Sequence, residues 1–115
     1  MKYNLSLRQL KTILVVSEQK RLIKASEILS LTPPAVTIQL RQAEEEIGLL
    51  LFDRTSDGLK LTDAGTEVAK CAQNIFGQLN DLRNKLDEVN FAKRGSVKIG
   101  IVSTAKYFGH NIAAN

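Results

Sequence analysis

The stretch LTPPAVTIQLRQAEEEIG, residues 31–48, decides the fold because it contains a complete helix signal with two different faces. Thr32 is suited to cap a helix, and Pro33 fits the first helical position, where a missing N–H costs nothing. Gly48 is suited to end the helix. On one side, apolar residues recur at steps of four, three and four, as expected for a face that packs against a core. These residues are Val36, Leu40, Ala43 and Ile47.

The opposite side of this helix is mixed, with Pro34, Thr37, Ile38 and Arg41. A helix fits the major groove of DNA, where side chains reach the base edges. In that position Arg41 can contact guanine or phosphate, Thr37 can donate or accept, and Ile38 can meet a thymine methyl. The alternative for Arg41 is a weak pair with Glu44 or Glu45. The acids at 44–46 would repel phosphate, so we expect contacts in the first half of the helix.

Two helices are predicted before this stretch. Ser6 can cap a first helix over about Leu7–Gln19, and a shorter one follows over about Ile23–Leu29. Residues 25, 28 and 29 of the second helix are expected to point inward. The short connection at residues 30–32 fits a helix-turn-helix motif, although a generic three-helix bundle would use the same packing.

A hairpin is predicted in LLLFDRTSDGLKLT, residues 49–62. Two strand-like runs, about Leu50–Arg54 and Leu59–Leu61, flank Ser56-Asp57-Gly58, and Asp-Gly is a strong hairpin signal. A hairpin directly after a helix-turn-helix is the wing of a winged helix. Arg54 could then contact a phosphate or the minor groove, and an ordinary surface charge is the alternative.

A long helix is predicted from Thr62 onward. Its apolar residues alternate steps of four and three over three heptads, which is the pattern of a coiled coil. These residues are Val68, Ala72, Ile75, Leu79, Leu82, Leu86 and Val89. We expect a second copy of the chain to cover them, and an amphipathic helix packed on its own domain is the alternative.

Positive charge is concentrated near the N-terminus. Residues 1–43 carry seven Lys or Arg against two acids, a balance of +5, whereas the whole chain is at +4. Arg21 and Lys24 could flank a DNA backbone, and a solvated helix surface is the alternative. Cys71 is the only cysteine, so no intrachain disulfide is expected. The sequence contains neither a secretory signal nor an apolar run long enough to span a membrane.

The C-terminal part is predicted to begin another domain. Residues 91–95 are interpreted as a hinge and SVKIGIV, residues 96–102, as a buried strand. Ser103 and Thr104 follow it, where they could hold an anion or simply cap a helix. The chain ends without a second strand, so we expect a fragment. His110 has no metal or catalytic partner in the sequence, and an enzyme is not expected.

The chain resembles the N-terminal part of LysR-type bacterial transcriptional regulators. The resemblance lies in LSLRQLKTILVV, KASEILSLTPPAVTIQLRQAEEEIG, LLFDR and LKLTDAG, which together cover about residues 5–66. It continues along the linker helix to about residue 91. TPPAVTIQLRQAEEEIG and GIVSTAKYF are most similar to the subgroup that regulates RuBisCO operons. Many family members carry Arg in place of Ile38 and Leu in place of Ala43.

This resemblance implies a mainly α fold in three parts. Residues 1–61 would form a winged helix-turn-helix DNA-binding domain, with its motif at about Leu22 to Arg41. Residues 62–91 would form a coiled-coil linker helix for dimerisation, and residues 92–115 the hinge and first strand of a truncated α/β effector domain. The candidate DNA-contacting residues are Arg21, Lys24, Thr32, Pro33, Pro34, Thr37, Ile38, Arg41 and Arg54.

We therefore predict a sequence-specific regulator that binds an inverted repeat in double-stranded DNA as a homodimer or homotetramer. It would control RuBisCO or carbon-fixation genes in response to a small metabolite, without a metal or cofactor. RNA polymerase is a further candidate partner, and no membrane contact is expected. The expected location is the bacterial cytoplasm, or the plastid stroma for a plastid-encoded chain. The alternatives are a coiled-coil dimerisation module without specific DNA readout and a small enzyme domain that lacks a catalytic set.

Overall fold

The computed structural model describes residues 4–94, which form four helices and one two-stranded antiparallel sheet. The elements are α1 (Leu7–Gln19), α2 (Leu22–Leu29), α3 (Pro33–Ile47), β1 (Phe52–Thr55), β2 (Gly58–Leu61) and α4 (Asp63–Arg94). The predicted winged helix-turn-helix with a long following helix is confirmed. The predicted strand at 96–102, together with Ser103, Thr104 and His110, lies outside the described residues. The chain divides into two compact units, residues 1–76 and 77–115.

The first two helices begin close to where the sequence predicts. Ser6 and Gln9 form a capping box: the Ser6 hydroxyl accepts from the Gln9 N–H at 3.1 Å, and the Gln9 side chain accepts from the Ser6 N–H at 2.9 Å. In α2 the packed stripe runs through Leu22, the buried residues 25 and 26, and Leu29. Ile28 lies outside that stripe and is 56% exposed, so the prediction that it points inward is wrong.

The core of the first unit is formed by buried apolar side chains of α1, α2, α3, β1 and the start of α4, and Leu59 and Leu61 of β2 pack against it partly buried. The predicted inward face of α3 is confirmed for Val36, Leu40 and Ala43, which are at most 8% exposed. The buried members of the core are Leu10, Ile13, Val15, Val16, Ala25, Val36, Leu40, Ala43, Leu51, Phe52 and Ala72. This packing fixes α3 on the other helices, so its opposite face is left at the surface.

The hairpin is attached to the connection between α1 and α2. Its register pairs Thr55 with Gly58, so β1 and β2 are joined by a two-residue turn. The Leu59 N–H donates to the Lys20 carbonyl at 2.7 Å. A Cβ on Gly58 would lie 2.4 Å from that carbonyl oxygen, and its φ of +114° also favours glycine. Gly58 therefore permits both the turn and the close approach of the wing.

The start of α4 packs closely against the segment before β1. The Thr62 hydroxyl accepts from the Gly65 N–H at 3.0 Å, and the Thr62 N–H donates to the Leu51 carbonyl at 3.0 Å. A Cβ on Gly65 would lie 2.1 Å from the Leu51 carbonyl oxygen, so this position requires a residue without a side chain.

The predicted coiled-coil residues of α4 differ in what covers them. Ala72 is fully buried inside the first unit, so it has no surface to offer a second chain, and its assignment to a dimer contact is wrong. Val68 and Ile75 are half-buried against the same core. In the second unit, Leu79, Leu82, Leu86 and Val89 are between 40% and 56% exposed.

The helix α4 is longer than expected. It continues to Arg94, so the prediction of a hinge beginning at Phe91 is wrong for residues 91–94. Within residues 4–94, no helix is both long enough and apolar enough to cross a membrane.

Candidate nucleic-acid interface

The predicted outward face of α3 lies at the surface. Pro34, Ile38 and Arg41 are exposed, and Thr37 is half-buried. Ile38 has 51% of its surface accessible although it is a large apolar residue. Gln42, which the sequence reasoning did not single out, is also exposed and follows Ile38 by one turn. Its position four residues after Ile38 was the available signal, because residues at that spacing share a helix face.

The first turn of α3 leaves few backbone donors for an anion. Pro33 and Pro34 have no N–H, the Ala35 N–H donates to the Thr32 hydroxyl at 3.2 Å, and the Val36 N–H donates to the Thr32 carbonyl at 3.1 Å. Helix N-termini often bind phosphate through such N–H groups. A phosphate near this end would therefore be bound mainly by side chains, including the hydroxyl hydrogen of Thr32.

Arg41 is not engaged by the neighbouring acids. Within the described residues it makes no ion pair with Glu44 or Glu45. Glu44 instead accepts a hydrogen bond from the Leu51 N–H at 2.8 Å and joins the end of α3 to the segment before the wing. The sequence reasoning missed this contact because its partner lies seven residues away, in a connection without a regular pattern. The guanidinium of Arg41 remains accessible to a ligand.

The remaining candidate cations are exposed on the elements that precede and follow α3 along the chain. Arg21 precedes α2, Lys24 lies in its first turn, and Arg54 lies on β1. By contrast, Gln39 is occupied by the fold, because its side chain accepts from the buried Thr12 hydroxyl of α1. The side chains available to a ligand are thus hydroxyl, amide, apolar and cationic groups, and the sequence between Pro33 and Ala43 contains no acid.

This set of groups is suited to binding a polyanion and to reading base edges. Arg can contact guanine or phosphate, and apolar groups can contact the thymine methyl. Within residues 4–94, no group of three His, Cys, Asp or Glu residues is arranged to hold a metal ion.

Residues 7–66 match the sequence model of the family described as bacterial regulatory helix-turn-helix protein, lysR family. The chain belongs to the LysR family. The match includes all of α1, α2, α3 and the wing, and it ends in the first turn of α4. The family is one of regulatory proteins, in agreement with the expectation that the chain is not an enzyme.

Two curated relatives in the LysR family are similar along nearly the whole chain. The HTH-type transcriptional regulator CfxR of Cupriavidus necator is 37% identical over 110 residues, which are 96% of this chain and 35% of the relative. A RuBisCO operon transcriptional regulator of Allochromatium vinosum is 38% identical over 111 residues, or 96% of this chain and 37% of the relative. The chain thus spans about a third of the length of these relatives.

Solved structures of DNA-binding domains agree with the fold. One is the complex of the BenM DNA-binding domain with benA site 1 DNA, with a TM-score of 0.69 and 25% identity over 74% of this chain and 99% of that chain. Another is the complex of the CbnR DNA-binding domain with DNA, with a TM-score of 0.67 and 26% identity over 74% of this chain and 98% of that chain.

Proposed function

We propose that this chain is the DNA-binding and linker part of a LysR-type transcriptional regulator that binds double-stranded DNA sequence-specifically. In this proposal α3 enters the major groove, Arg54 of the wing contacts the adjacent backbone or minor groove, and Arg21 and Lys24 bind phosphates. The likeness to the two DNA-bound domains supports this function. Because the proposed partner is DNA, the proposed location is the bacterial cytoplasm, or the plastid stroma for a plastid-encoded chain.

The proposal rests on which groups are exposed on the outward face of α3. The part of this face between Pro33 and Ala43 is free of acids, and Arg41 is not paired with Glu44 or Glu45 although both lie within a turn of it. A pair at that spacing, with the arginine N-terminal to the glutamate, would stabilise the helix by only about a few tenths of a kcal/mol, so DNA can replace it at little cost. The availability of Arg41, together with the exposed cations of α2 and β1, supports a surface whose partner is the phosphates and base edges of DNA.

The proposed binding unit is a homodimer that reads an inverted repeat, with one α3 in each half-site. The exposed apolar residues of α4 in the second unit, at 79, 82, 86 and 89, support a contact between two copies. A homotetramer, a metabolite-binding effector domain that includes Ser103 and Thr104, and contact with RNA polymerase are proposals for the whole protein. Residues 1–61, 62–91 and 92–115 are the proposed DNA-binding, linker and effector parts.

The proposed targets are genes of carbon fixation. Support comes from the relatives described as CfxR and as RuBisCO operon regulators, which match along 96% of this chain. The first duplex to test is therefore the region upstream of a RuBisCO operon in the source genome, with an unrelated duplex of equal length as competitor.

The decisive experiment measures binding of this duplex at several salt concentrations. Since each phosphate contact releases counterions, affinity for DNA should fall steeply as salt rises, and the specific duplex should resist the competitor. Arg41→Ala should weaken specific binding by about 1–3 kcal/mol without changing the fold. Lys85→Ala on α4 is the matched control, because Lys85 is exposed but lies far along the sequence from α3.

The outcomes also separate DNA readout from dimerisation alone. A chain that forms dimers but binds both duplexes equally, with no dependence on Arg41, would be a dimerisation module and would contradict the proposed function. If Arg41→Ala and Lys85→Ala bind alike, Arg41 is removed from the contact surface.

A further inference from the structure

The outward face of α3 contains two adjacent strips with different chemistry. Thr37 and Arg41 form a polar strip, whereas Pro34 and Ile38 form an apolar strip that ends at Gln42 one turn later. Residues four positions apart are neighbours on a helix surface, so the ring of Pro34 and the side chain of Ile38 lie next to each other. Both residues are exposed. The apolar strip is therefore a small surface with Thr37 and Arg41 along one side and Gln42 at its end.

An apolar surface is selective inside the major groove. Thymine alone presents a methyl group there, next to one acceptor, whereas guanine presents two acceptors, adenine an acceptor and an amino donor, and cytosine an amino donor. Ile38 has no donor or acceptor, so it cannot pair with those polar edges and would remove water from them without compensation. Against a thymine methyl, the same side chain buries apolar area on both partners.

We propose that Ile38, supported by Pro34, selects thymine at one position of each half-site through contact with its 5-methyl group. This inference rests on the proposed function, because it requires α3 to lie in the major groove. It assigns to Ile38 a specificity that depends on a methyl group rather than on a hydrogen bond.

Exposure alone does not distinguish Ile38 from other isoleucines of the chain. Ile23 and Ile28 on α2 are 65% and 56% exposed, which is at least as much as the 51% of Ile38. Ile38 differs because it shares its face with the accessible Arg41 and lies in a segment without acids. It also adjoins the first turn of α3, where the prolines and Thr32 leave few backbone donors, so the readout near this end depends mainly on side chains.

The test compares thymine with deoxyuridine, which differs from it by the 5-methyl group alone. A duplex library with a random central segment is enriched by the full chain, and the best-bound duplex is resynthesised with each thymine in turn replaced by deoxyuridine. For the parent chain, one position in each half-site should show about a fourfold loss of affinity, the size expected for losing one buried methyl contact. Replacing both symmetric positions should give roughly the product of the two effects, about sixteenfold.

Two variants assign the methyl effect to a side chain. The Ile38→Ala chain should bind duplexes with thymine and with deoxyuridine at that position with equal affinity. The coupling between Ile38 and the methyl group, measured by a double-mutant cycle, should then equal the loss of affinity that the parent chain shows on replacement of that thymine. Ile28→Ala is the matched control, because it truncates the same type of exposed side chain on α2 and should keep the full deoxyuridine effect. Both variants remove surface groups, and equal thermal unfolding curves will verify that each is folded.

Two results would overturn the inference and leave the proposed function intact. One is specific, salt-dependent binding in which no deoxyuridine position weakens the parent. The other is an Ile38→Ala chain that keeps the same loss as the parent. If instead no duplex is enriched at all, the proposed function fails, and the assignment of Ile38 fails with it.

Discussion

The two halves of α4 carry the same apolar pattern but use it differently. In the first unit, Ala72 is fully buried in the chain's own core. In the second unit, Leu79 and Leu86 occupy equivalent positions of the repeat and are 40% and 56% exposed. A period of 3.5 residues tells which face of a helix is apolar, but it does not tell what covers that face. One uninterrupted repeat can therefore pack into the core of its own chain in its first half and remain exposed in its second half.

The largest effect is expected from a charge placed in the buried, first half of α4. Ala72→Asp should destabilise the first unit by at least about 4 kcal/mol, because an unpaired carboxylate would be buried where no water reaches it. Urea unfolding followed by circular dichroism measures the loss. Gln73→Asp is the control, since the adjacent residue is exposed and should tolerate the change. Equal stability of the two variants would contradict the assignment of Ala72 to the core.

A second test uses the two glycines of α4. Gly65→Ala should destabilise the fold by about 3 kcal/mol, because the new Cβ would meet the Leu51 carbonyl oxygen at 2.1 Å. Gly77→Ala is its control, since a Cβ at Gly77 meets nothing within 4 Å. That substitution should instead stabilise the helix by about 0.5–1 kcal/mol. Thermal unfolding of both variants should show shifts of opposite sign, and shifts of the same sign would refute the difference.

A substitution in the second half of α4 is expected to have a smaller effect, and to change dimer formation rather than folding. Leu79→Asp should raise the dimer dissociation constant at least about 100-fold, or about 2.7 kcal/mol, because two like charges would meet in the seam. Sedimentation velocity across a range of concentrations measures the change, while circular dichroism should remain that of the parent. A dimer that survives this substitution would show that Leu79 is not in the contact.

The sequence predicted those parts of the fold that depend on local patterns. The Ser6 cap of α1, the Pro33 start and the Gly48 end of α3, and the inward face at Val36 and Leu40 all arise from residues within a few positions of each other. The outward face of α3 followed directly, because a helix with a buried side must expose the opposite one.

The parts that the sequence did not predict depend on distant partners. The Glu44 carboxylate binds the Leu51 N–H, Thr12 binds Gln39, and the glycine at 58 is required by the carbonyl of Lys20. No local pattern contains both members of such a pair. The same reason explains why Ala72 was assigned to a dimer contact: the heptad repeat gave its position on the helix but not which residues pack against it.

The hydrogen bond between the Leu59 N–H and the Lys20 carbonyl also limits how the protein can adapt to DNA. Arg21 follows Lys20 directly, and Arg54 is the partner of Leu59 across the hairpin. The backbone positions from which these two arginines extend are therefore linked before any duplex arrives. If both arginines contact the duplex as proposed, a duplex whose groove width is set by its base sequence would either match that fixed spacing or have to deform. Base pairs that no side chain touches would then also contribute to selectivity.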